Sequence, residues 1–481
     1  NTSMEPTHPL MAIASVDGRD RHTTEPVANY FSEYATMRGV LRVEVEYLIM
    51  LGDQRVCRAM TDQEKAFLRG LVSGFTLDDA IIINDIEREG YHDERRTIPK
   101  TNHDIKSIEY FLRIKIEDNQ PSIGDVLEMV HFGLTSEDAK NLALGMSMHG
   151  FRDEVYVPAM VSFLDSLASF AETYKDLAMP ARTHGQPASP TTLGKEMAVF
   201  LDRLRRQLVT LSEFQLTGKL NGATGNHNAY LIAAPNVPWL HLSSQFVRSL
   251  GLLPNYLTTQ VEPGDSLVEM LQCYQRINTI MLDFAQDTWR YISDSYLLLK
   301  PTAGEVGSST MPHKVNPIDF EHAEGALKKS NALLTAMYSI SVSRLQRDLS
   351  DSTVKRDIGT VLAWSYDALV CLTRGLAKVA PNHEKMTADL EADYAVLTEA
   401  VQTVMRKERH VGAYDLIKDQ TRGHLLTRDG YRALVQSLPL SDDNRARLAK
   451  LTPATYTGEA SRLAHLAVTQ WEKTRSAVVK Q

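Results

Sequence analysis

Apolar residues recur every three or four positions along three long stretches of the chain, a spacing that places them on one face of an α-helix. The stripes comprise Met160, Phe163, Leu167, Phe170 and Tyr174; Leu193, Met197, Phe200, Leu204, Leu208 and Leu211; and Leu267, Leu271, Tyr274, Ile277, Met281 and Phe284. No proline occurs between Pro190 and Pro235 or between Pro263 and Pro301, so the second and third helices can be long. Such helices need partners for their apolar faces, and the pattern therefore predicts a helical bundle.

The prolines and the stripes together predict three helical domains. We place an N-terminal helical domain at residues 1–124, the central bundle at 125–376 and a C-terminal helical domain at 377–481. Strand signals are weak throughout, so the predicted fold class is all-α. The width of the apolar stripes also indicates a bundle that other subunits complete.

Composition narrows the classes of protein that the chain can belong to. The net charge of −8 disfavours nucleic-acid binding, which depends on a positive field. The three cysteines, Cys57, Cys273 and Cys371, lack the spacing of a disulfide framework or a zinc site. We expect no metal and no cofactor. No apolar run approaches the ~20 residues of a membrane helix, and no secretion signal is recognisable, so we expect a cytoplasmic protein.

The segment Gly304 to Pro317, GEVGSSTMPHKVNP, is the most informative polar stretch. Two glycines and two prolines make it a loop. A solvated connector is the ordinary interpretation of such a composition. It is not a phosphate-binding P-loop, because His313 rather than glycine precedes Lys314. It is not a nucleophile elbow either, because Gly307 is followed by Ser-Ser-Thr.

Four other polar segments stand out against the helical background: RTHGQPASPTTLGK (Arg182 to Lys195), TNHD (Thr101 to Asp104), HFGLTSED (His131 to Asp138) and RLQRDLSDSTVKR (Arg344 to Arg356). Each has a structural interpretation as a bend, a helix cap or a solvated charged helix. Thr135 is a good helix start, and another is expected at Asp351 or Ser352, where free N–H groups would favour an anion.

These segments, taken together, resemble the adenylosuccinate lyase branch of the fumarase/aspartase superfamily. The superfamily signature GSSxMPxKxNP corresponds to Gly307 to Pro317. The match continues through DGR at Asp17 to Arg19, TTQVEP at Thr258 to Pro263, QRDLSDST at Gln346 to Thr353 and the segments above, in family order. The resemblance implies three helical domains, a homotetramer around a central bundle, and active sites where three subunits meet. It also implies elimination of fumarate from adenylosuccinate, giving AMP, and from SAICAR, giving AICAR, in purine nucleotide biosynthesis.

The resemblance further implies a role for each matching residue. His184 is expected to be the general acid and Ser308 the general base, with Lys314 and His103 completing the catalytic group. The residues expected to bind substrate are Arg19, Asn102, Asp104, His131, Thr135, Ser136, Gln260, Ser309, Asn316, Arg347, Ser352, Thr353 and Arg356. A serine base needs nearby positive charge and backbone donors, because a free hydroxyl is too weakly acidic to ionise unaided.

The chain departs from the family pattern at three places. Asp20 follows Arg19 where tyrosine is common, His322 replaces an asparagine, and GNHNAY (Gly225 to Tyr230) exchanges the histidine and tyrosine of GNYNAH. None of these falls on a catalytic position. Two alternatives stay open at this point: a sister enzyme acting on argininosuccinate, aspartate or malate, and a non-catalytic helical oligomer.

Overall fold

The computed structural model describes residues 8–301, 303–304, 307–423 and 425–479. Almost all regular structure in these residues is helical, and the predicted all-α fold class is confirmed. Glu305 and Val306 of the predicted loop lie outside the described residues. In the described part of the chain, no helix combines the length and apolar character required to cross a membrane.

The described N-terminal part of the chain contains five helices: α1 (Arg21–Phe31), α2 (Glu33–Asp53), α3 (Asp62–Ser73), α4 (Leu77–Arg88) and α5 (Asp104–Asn119). Local sequence explains several of their starts. The side chains of Thr61 and Thr76 each accept a hydrogen bond from the backbone N–H three residues on. The acidic side chain at that position in turn accepts the backbone N–H of the threonine. These capping boxes satisfy N–H groups that have no partner inside the helix.

Nine helices follow in the described residues of the central part, among them the longest one, α11: α6 (Ser136–Phe151), α7 (Val157–Thr173), α8 (Leu193–Glu213), α9 (Asn228–Ala233), α10 (Trp239–Ser249), α11 (Asp265–Ser293), α12 (Ile318–Ala336), α13 (Ser350–Lys355) and α14 (Ile358–Lys378). Every stripe residue predicted in α8 and α11 is buried. With 29 residues, α11 has the length that its proline-free stretch allows.

In the described residues of the C-terminal part, five short helices precede a long last one: α15 (His383–Ala392), α16 (Thr398–Lys407), α17 (Ala413–Thr421), α18 (Arg428–Ser437), α19 (Asp442–Ala449) and the 19-residue α20 (Ala460–Val478). Buried residues between Tyr394 and Leu448 form a hydrophobic cluster of their own, in which the rings of Tyr394 and Tyr431 pack 5.8 Å apart.

The chain separates into two compact units. The first unit comprises Asn1–Val157, Thr210–Arg276 and Lys329–Asp367, and the second comprises Pro158–Val209, Ile277–Lys328 and Ala368–Gln481. The boundaries of these units fall within long helices. The three domains with limits at 124/125 and 376/377 stay a prediction.

Where the structure describes the chain, eight short strands form four two-stranded pairs: β1 (Tyr91–His92) with β2 (Thr97–Ile98), β3 (Ala178–Thr183) with β4 (Gln186–Thr192), β5 (Thr217–Gly218) with β6 (Leu253–Pro254), and β7 (Leu297–Leu299) with β8 (Val379–Pro381). Among the strand pairs of the described residues, β5 and β6 alone are parallel. Sequence analysis did not predict the β3–β4 hairpin, because Pro180, Pro187 and Pro190 disfavour a strand. An isolated ribbon tolerates them, since both of its strands are edges.

Candidate active site

A cavity of about 870 Å³ lies within the first unit, and predicted site residues form much of its wall. Ten of them line it: Asn102, His103, Asp104, Thr135, Ser136, Gln260, Arg347, Ser352, Thr353 and Arg356. They come from four separate segments of the chain, so their assembly is a property of the fold. We call this space the polar cavity.

The TNHD segment reaches the polar cavity through the start of α5. Asn102 has a positive φ of 47°, and its backbone N–H donates to the backbone carbonyl of Glu87. This bond holds the segment against the end of α4. His103 caps α5 by accepting the Lys106 N–H at Nδ1. The ring proton is therefore assigned to Nε2, which lies 3.3 Å from the Ser136 hydroxyl.

Asp104 is paired with Lys140 on α6, with 2.6 Å between Nζ and Oδ2. Burial disfavours the charged form of this carboxyl, but the charge and hydrogen bond of Lys140 outweigh it and hold the pKa of Asp104 below its usual range. An ionised carboxylate thus faces the polar cavity.

Helix α6 begins where Thr135 predicted, with Thr135 and Asp138 forming a capping box. The first turn of the helix presents Thr135 and Ser136 to the polar cavity. Backbone N–H groups at a helix start favour an anion, which suits the predicted contact with a carboxylate.

The basic segment supplies a further part of the wall. Arg347 donates to Glu137 Oε2 at 2.7 Å, and Lys355 pairs with Asp351 at 2.7 Å. Helix α13 begins at Ser350, one residue before the earliest predicted start. Ser352 lies in its first turn, and the helix has only six residues, so its dipole is small.

His131 and Arg19 are in the first unit but are not among the described residues that line the polar cavity. The Nδ1 of His131 lies 2.6 Å from Oε1 of the buried Glu44. Burial lowers the pKa of His131, but the hydrogen bond and charge of Glu44 outweigh it and leave the pKa raised. Arg19 is exposed just before α1, and the carbonyl of Asp20 accepts the first hydrogen bonds of that helix.

The exchanged residues of GNHNAY have structural partners. His227 Nε2 lies 3.0 Å from the Ser243 hydroxyl. Tyr230 is buried against Trp239 and against Gly133, where an added Cβ would lie 2.4 Å from the tyrosine ring. The exchange therefore affects the packing around Gly133, two residues after His131.

His184 lies in the second unit, at the tip of the β3–β4 hairpin. Thr183 pairs with Gln186, so His184 and Gly185 form a two-residue turn with φ values of 53° and 71°. Two positive φ angles are typical of the type I′ turn that suits a tight hairpin. The imidazole is exposed at this tip.

The hairpin is held within the second unit by the C-terminal helices. Ser189 on β4 donates a short hydrogen bond to Glu399, which also accepts from the Tyr456 hydroxyl at 2.8 Å. These contacts determine where the strands, and hence His184, can lie within this unit.

The signature loop, described here from Gly307 to Pro317, also belongs to the second unit. Ser308 Oγ accepts hydrogen bonds from the N–H groups of Thr310 at 3.2 Å and Met311 at 3.0 Å. Asn316 Nδ2 donates to the Gly307 carbonyl at 2.5 Å, which closes the loop on itself. A Cβ on Gly307 would lie 1.7 Å from the Lys314 carbonyl oxygen, so only glycine fits. Ser309 and Lys314 are carried on the same loop.

Backbone strain coincides with the predicted site. Eight described non-glycine residues have a positive φ, and Asn102, His131 and His184 are three of them. Such conformations cost about 1–3 kcal/mol each and concentrate at functional sites. Asparagine and histidine adopt this conformation more readily than most other residues.

Sequence analysis did not identify eight further residues that line the polar cavity: Glu33, Met37, Asn84, Glu87, Arg88, Glu137, Lys140 and Leu349. Helical spacing could have indicated several of them, because residues four apart on a helix lie on the same face. Ser136 and Lys140 are four residues apart on α6, and Asn84 and Arg88 are four apart on α4, so each pair shares a face. The pattern of the chain could not indicate which face would meet the cavity.

Comparison with known protein families defines the class of protein to which the chain belongs. The lyase family model matches residues 18–329, and the model of the adenylosuccinate lyase C-terminal region matches residues 343–457. Among solved structures, the chain resembles a 3-carboxy-cis,cis-muconate lactonizing enzyme from Pseudomonas putida, with a TM-score of 0.72 and 20% identity over 93% of this chain and 97% of that one. This likeness shows a shared fold.

Curated relatives identify the branch. An adenylosuccinate lyase from Haemophilus influenzae is 41% identical, over 94% of this chain and 98% of the relative. One from Escherichia coli (strain K12) is 40% identical, over 94% and 97%. The chain therefore belongs to the adenylosuccinate lyase family.

Proposed function

We propose that this lyase eliminates fumarate from adenylosuccinate, giving AMP, and from SAICAR, giving AICAR. The gathering of ten predicted site residues around one cavity is the observation that carries this assignment. The sister enzymes are excluded by family membership, because curated adenylosuccinate lyases match over nearly the whole chain.

Ser308 is the proposed general base. It would remove a proton from the succinyl carbon next to a carboxylate, and that step requires an ionised hydroxyl. The N–H groups of Thr310 and Met311 already point at Ser308 Oγ and would stabilise its negative charge. Lys314 on the same loop would add a positive field.

His184 is the proposed general acid. When the carbon–nitrogen bond breaks, its electron pair stays on the departing nitrogen, which then takes a proton from the imidazole. The carbanion formed first carries its charge on the adjacent carboxylate, where Lys314 and Asn316 would meet it. Ser309, Thr135, Ser136 and Gln260 would hold the succinyl carboxylates.

The polar cavity is the proposed nucleotide site. Arg88 and Arg356 line it, and in the described part of the chain neither has an acidic side chain within ion-pair distance. Arg347 and Lys140 line it as well, each with a carboxylate partner. Arg88 and Arg356 would therefore supply the positive charge that offsets the phosphate, and Arg347, Ser352, Thr353 and Arg356 would hold the phosphate and carboxylate groups.

We propose a homotetramer whose active sites each include segments of three subunits, as the family resemblance implies. Apolar side chains left uncovered in the single chain support assembly: Ile232 is 87% exposed and Leu257 is 90% exposed. Exposed apolar groups of this kind are typical of protein–protein contacts. Arg19 and His131 would meet substrate only in this assembled form.

Fumarate release by the purified protein tests the assignment. Adenylosuccinate, SAICAR, argininosuccinate, aspartate and malate would be supplied separately. We expect rapid fumarate release from the first two, and none from argininosuccinate, aspartate or malate. Turnover of argininosuccinate alone would contradict the nucleotide site, and no turnover of any substrate would favour a non-catalytic oligomer.

A further inference from the structure

Two opposite charges lie completely buried behind the polar cavity. Asp138 on α6 and Lys219 just after β5 are both 0% exposed, and 2.9 Å separates Lys219 Nζ from Asp138 Oδ1. Neither residue is part of the cavity wall, and the mechanism above uses neither. Burying such a pair is costly unless hydrogen bonds satisfy both groups. Their burial is complete within one chain, so it does not depend on assembly.

Lys219 has three acceptors for its three ammonium protons. Besides Asp138, Nζ donates to the Gly222 carbonyl at 3.0 Å and to the Gln260 carbonyl at 2.7 Å. The contact with Gln260 is the informative one, because Gln260 lines the polar cavity. A fully buried cation thus fixes the backbone of a residue that faces the substrate.

Asp138 fixes the other side of the same region. Its Oδ2 accepts the N–H groups of Thr135 at 3.0 Å and Gly222 at 3.1 Å, and its Oδ1 accepts that of Asn221 at 3.1 Å. The Thr135 bond holds the start of α6, where Ser136 also faces the cavity.

The ion pair therefore joins two segments that lie far apart in the sequence. One carries Thr135 and Ser136, and the other carries Gln260. Asn141 reinforces the junction, since its side chain accepts the Lys219 N–H at 2.9 Å and donates to the Lys219 carbonyl at 3.0 Å. These segments are the ones assigned to the succinyl carboxylate, and not those assigned to the nucleotide phosphate.

We propose that Asp138 and Lys219 are positioning residues for the dicarboxylate half of the site: they hold Thr135, Ser136 and Gln260 in register for the succinyl group and for fumarate. The inference rests on the proposed function. A buried ion pair is weak evidence for stability, since apolar replacements of both charges are often as stable. Here the pair satisfies backbone groups on both segments that bind one ligand, which an apolar pair could not do.

Lys219→Met is the test, with product inhibition as the measurement. Met preserves side-chain length and removes the donors to Gln260 and Asp138. We expect the inhibition constant of fumarate to rise about tenfold or more, since a hydrogen bond to a charged group is lost at each segment. The inhibition constant of AMP should change less than about twofold, because its phosphate ligands are elsewhere.

Arg152→Met is the matched control. Arg152 is also a buried cation that donates to backbone carbonyls, those of Leu211 and Phe214, but it lies 16 residues beyond Ser136. It should reduce thermal stability without changing the ratio of the two inhibition constants. If Lys219→Met fails to fold, Asp138→Asn, which keeps the side-chain shape, should show the same selective loss of fumarate inhibition.

Equal weakening of fumarate and AMP, or no weakening of either, would overturn the proposal. The wild-type protein separates this result from a failure of the proposed function. Absence of fumarate release from adenylosuccinate by the wild type would refute the function itself, whereas a competent wild type with an unselective Lys219→Met refutes only the positioning role.

Discussion

His184 combines a catalytic assignment with an unusual backbone conformation. Its φ of 53° is one that few residues adopt without cost, and asparagine tolerates it better than alanine does. An alanine variant would therefore change the turn and the chemistry together. Separating these effects needs a replacement that keeps the turn.

His184→Asn should retain the hairpin and lose the proton donor. We expect turnover of adenylosuccinate to fall by about 10²–10⁴-fold, the usual contribution of a general acid. Ser308→Ala should cause a loss at least as large. Steady-state kinetics give the rates, and circular dichroism with thermal unfolding checks that the fold is intact. Near-normal turnover of either variant would remove that residue from its assigned role.

The buried Glu44 and the partly buried His131 form a pair whose effect on stability depends on pH. The pKa of His131 is raised in the folded state, so the pair stabilises the protein fully below the ordinary histidine pKa of about 6.5. This contribution is lost as pH rises through the raised pKa. Lys106 and Glu109 also influence the imidazole, with opposite signs.

Glu44→Gln should remove the pH-dependent contribution of this pair to the free energy of unfolding. We expect the free energy of unfolding of the wild type to exceed that of the variant most near pH 6, and the difference to shrink towards alkaline pH. Denaturant titrations across this range provide the measurement. A difference independent of pH would show that His131 is not charged in the folded protein.

The signature loop depends on one close approach of its own backbone. Gly307 and Lys314 are seven residues apart in sequence, yet a Cβ at Gly307 would overlap the Lys314 carbonyl oxygen. Glycine is required here because there is no space for a side chain, and not because of an unusual backbone conformation. Any side chain would force the two arms of the loop apart and move Ser308 relative to Lys314.

Gly307→Ala should therefore impair catalysis more than stability. A displacement of about 1 Å in a catalytic group costs on the order of 10²-fold in rate, and we expect a loss of that size with an unchanged melting temperature. Gly70→Ala is the control, because no atom lies within 4 Å of the added Cβ in helix α3. It should stabilise the helix slightly and leave turnover unchanged.

At the level of the whole molecule, the predicted site residues are divided between the two compact units. Twelve belong to the first unit, whereas His184, Ser308, Ser309, Lys314 and Asn316 belong to the second. The proposed homotetramer with shared sites would give each cavity access to all of these groups. Light scattering after size-exclusion chromatography should give four times the mass of the chain.

Shared sites predict complementation between two inactive variants. Tetramers of His184→Asn and of Ser308→Ala would be dissociated, mixed and reassembled. If one site takes these two residues from different subunits, some sites in the hybrids contain both wild-type residues, and turnover should return to a measurable fraction of the wild type. Hybrids that stay inactive would place both residues of each site on one subunit.

Sequence patterns predicted helices and their starts well wherever a single local property, such as apolar periodicity or a capping residue, was sufficient. Apolar periodicity predicted α8 and α11, and Thr135 predicted the start of α6. The β3–β4 hairpin was missed because its prolines disfavour strands, and a two-stranded ribbon accepts prolines that a larger sheet would not. The signature loop and its neighbouring motifs predicted the family, which the curated relatives confirm.

The sequence by itself thus determined the helical class, the family and the residues to be considered, because periodicity, caps and motifs are properties of short segments. Only the tertiary structure decided that ten of those residues surround one cavity and that Glu137 and Lys140 line it with them. It alone also showed the pairing of Asp138 with Lys219, 81 positions apart. Contacts between distant segments depend on how helices pack, and no local pattern encodes which faces will meet.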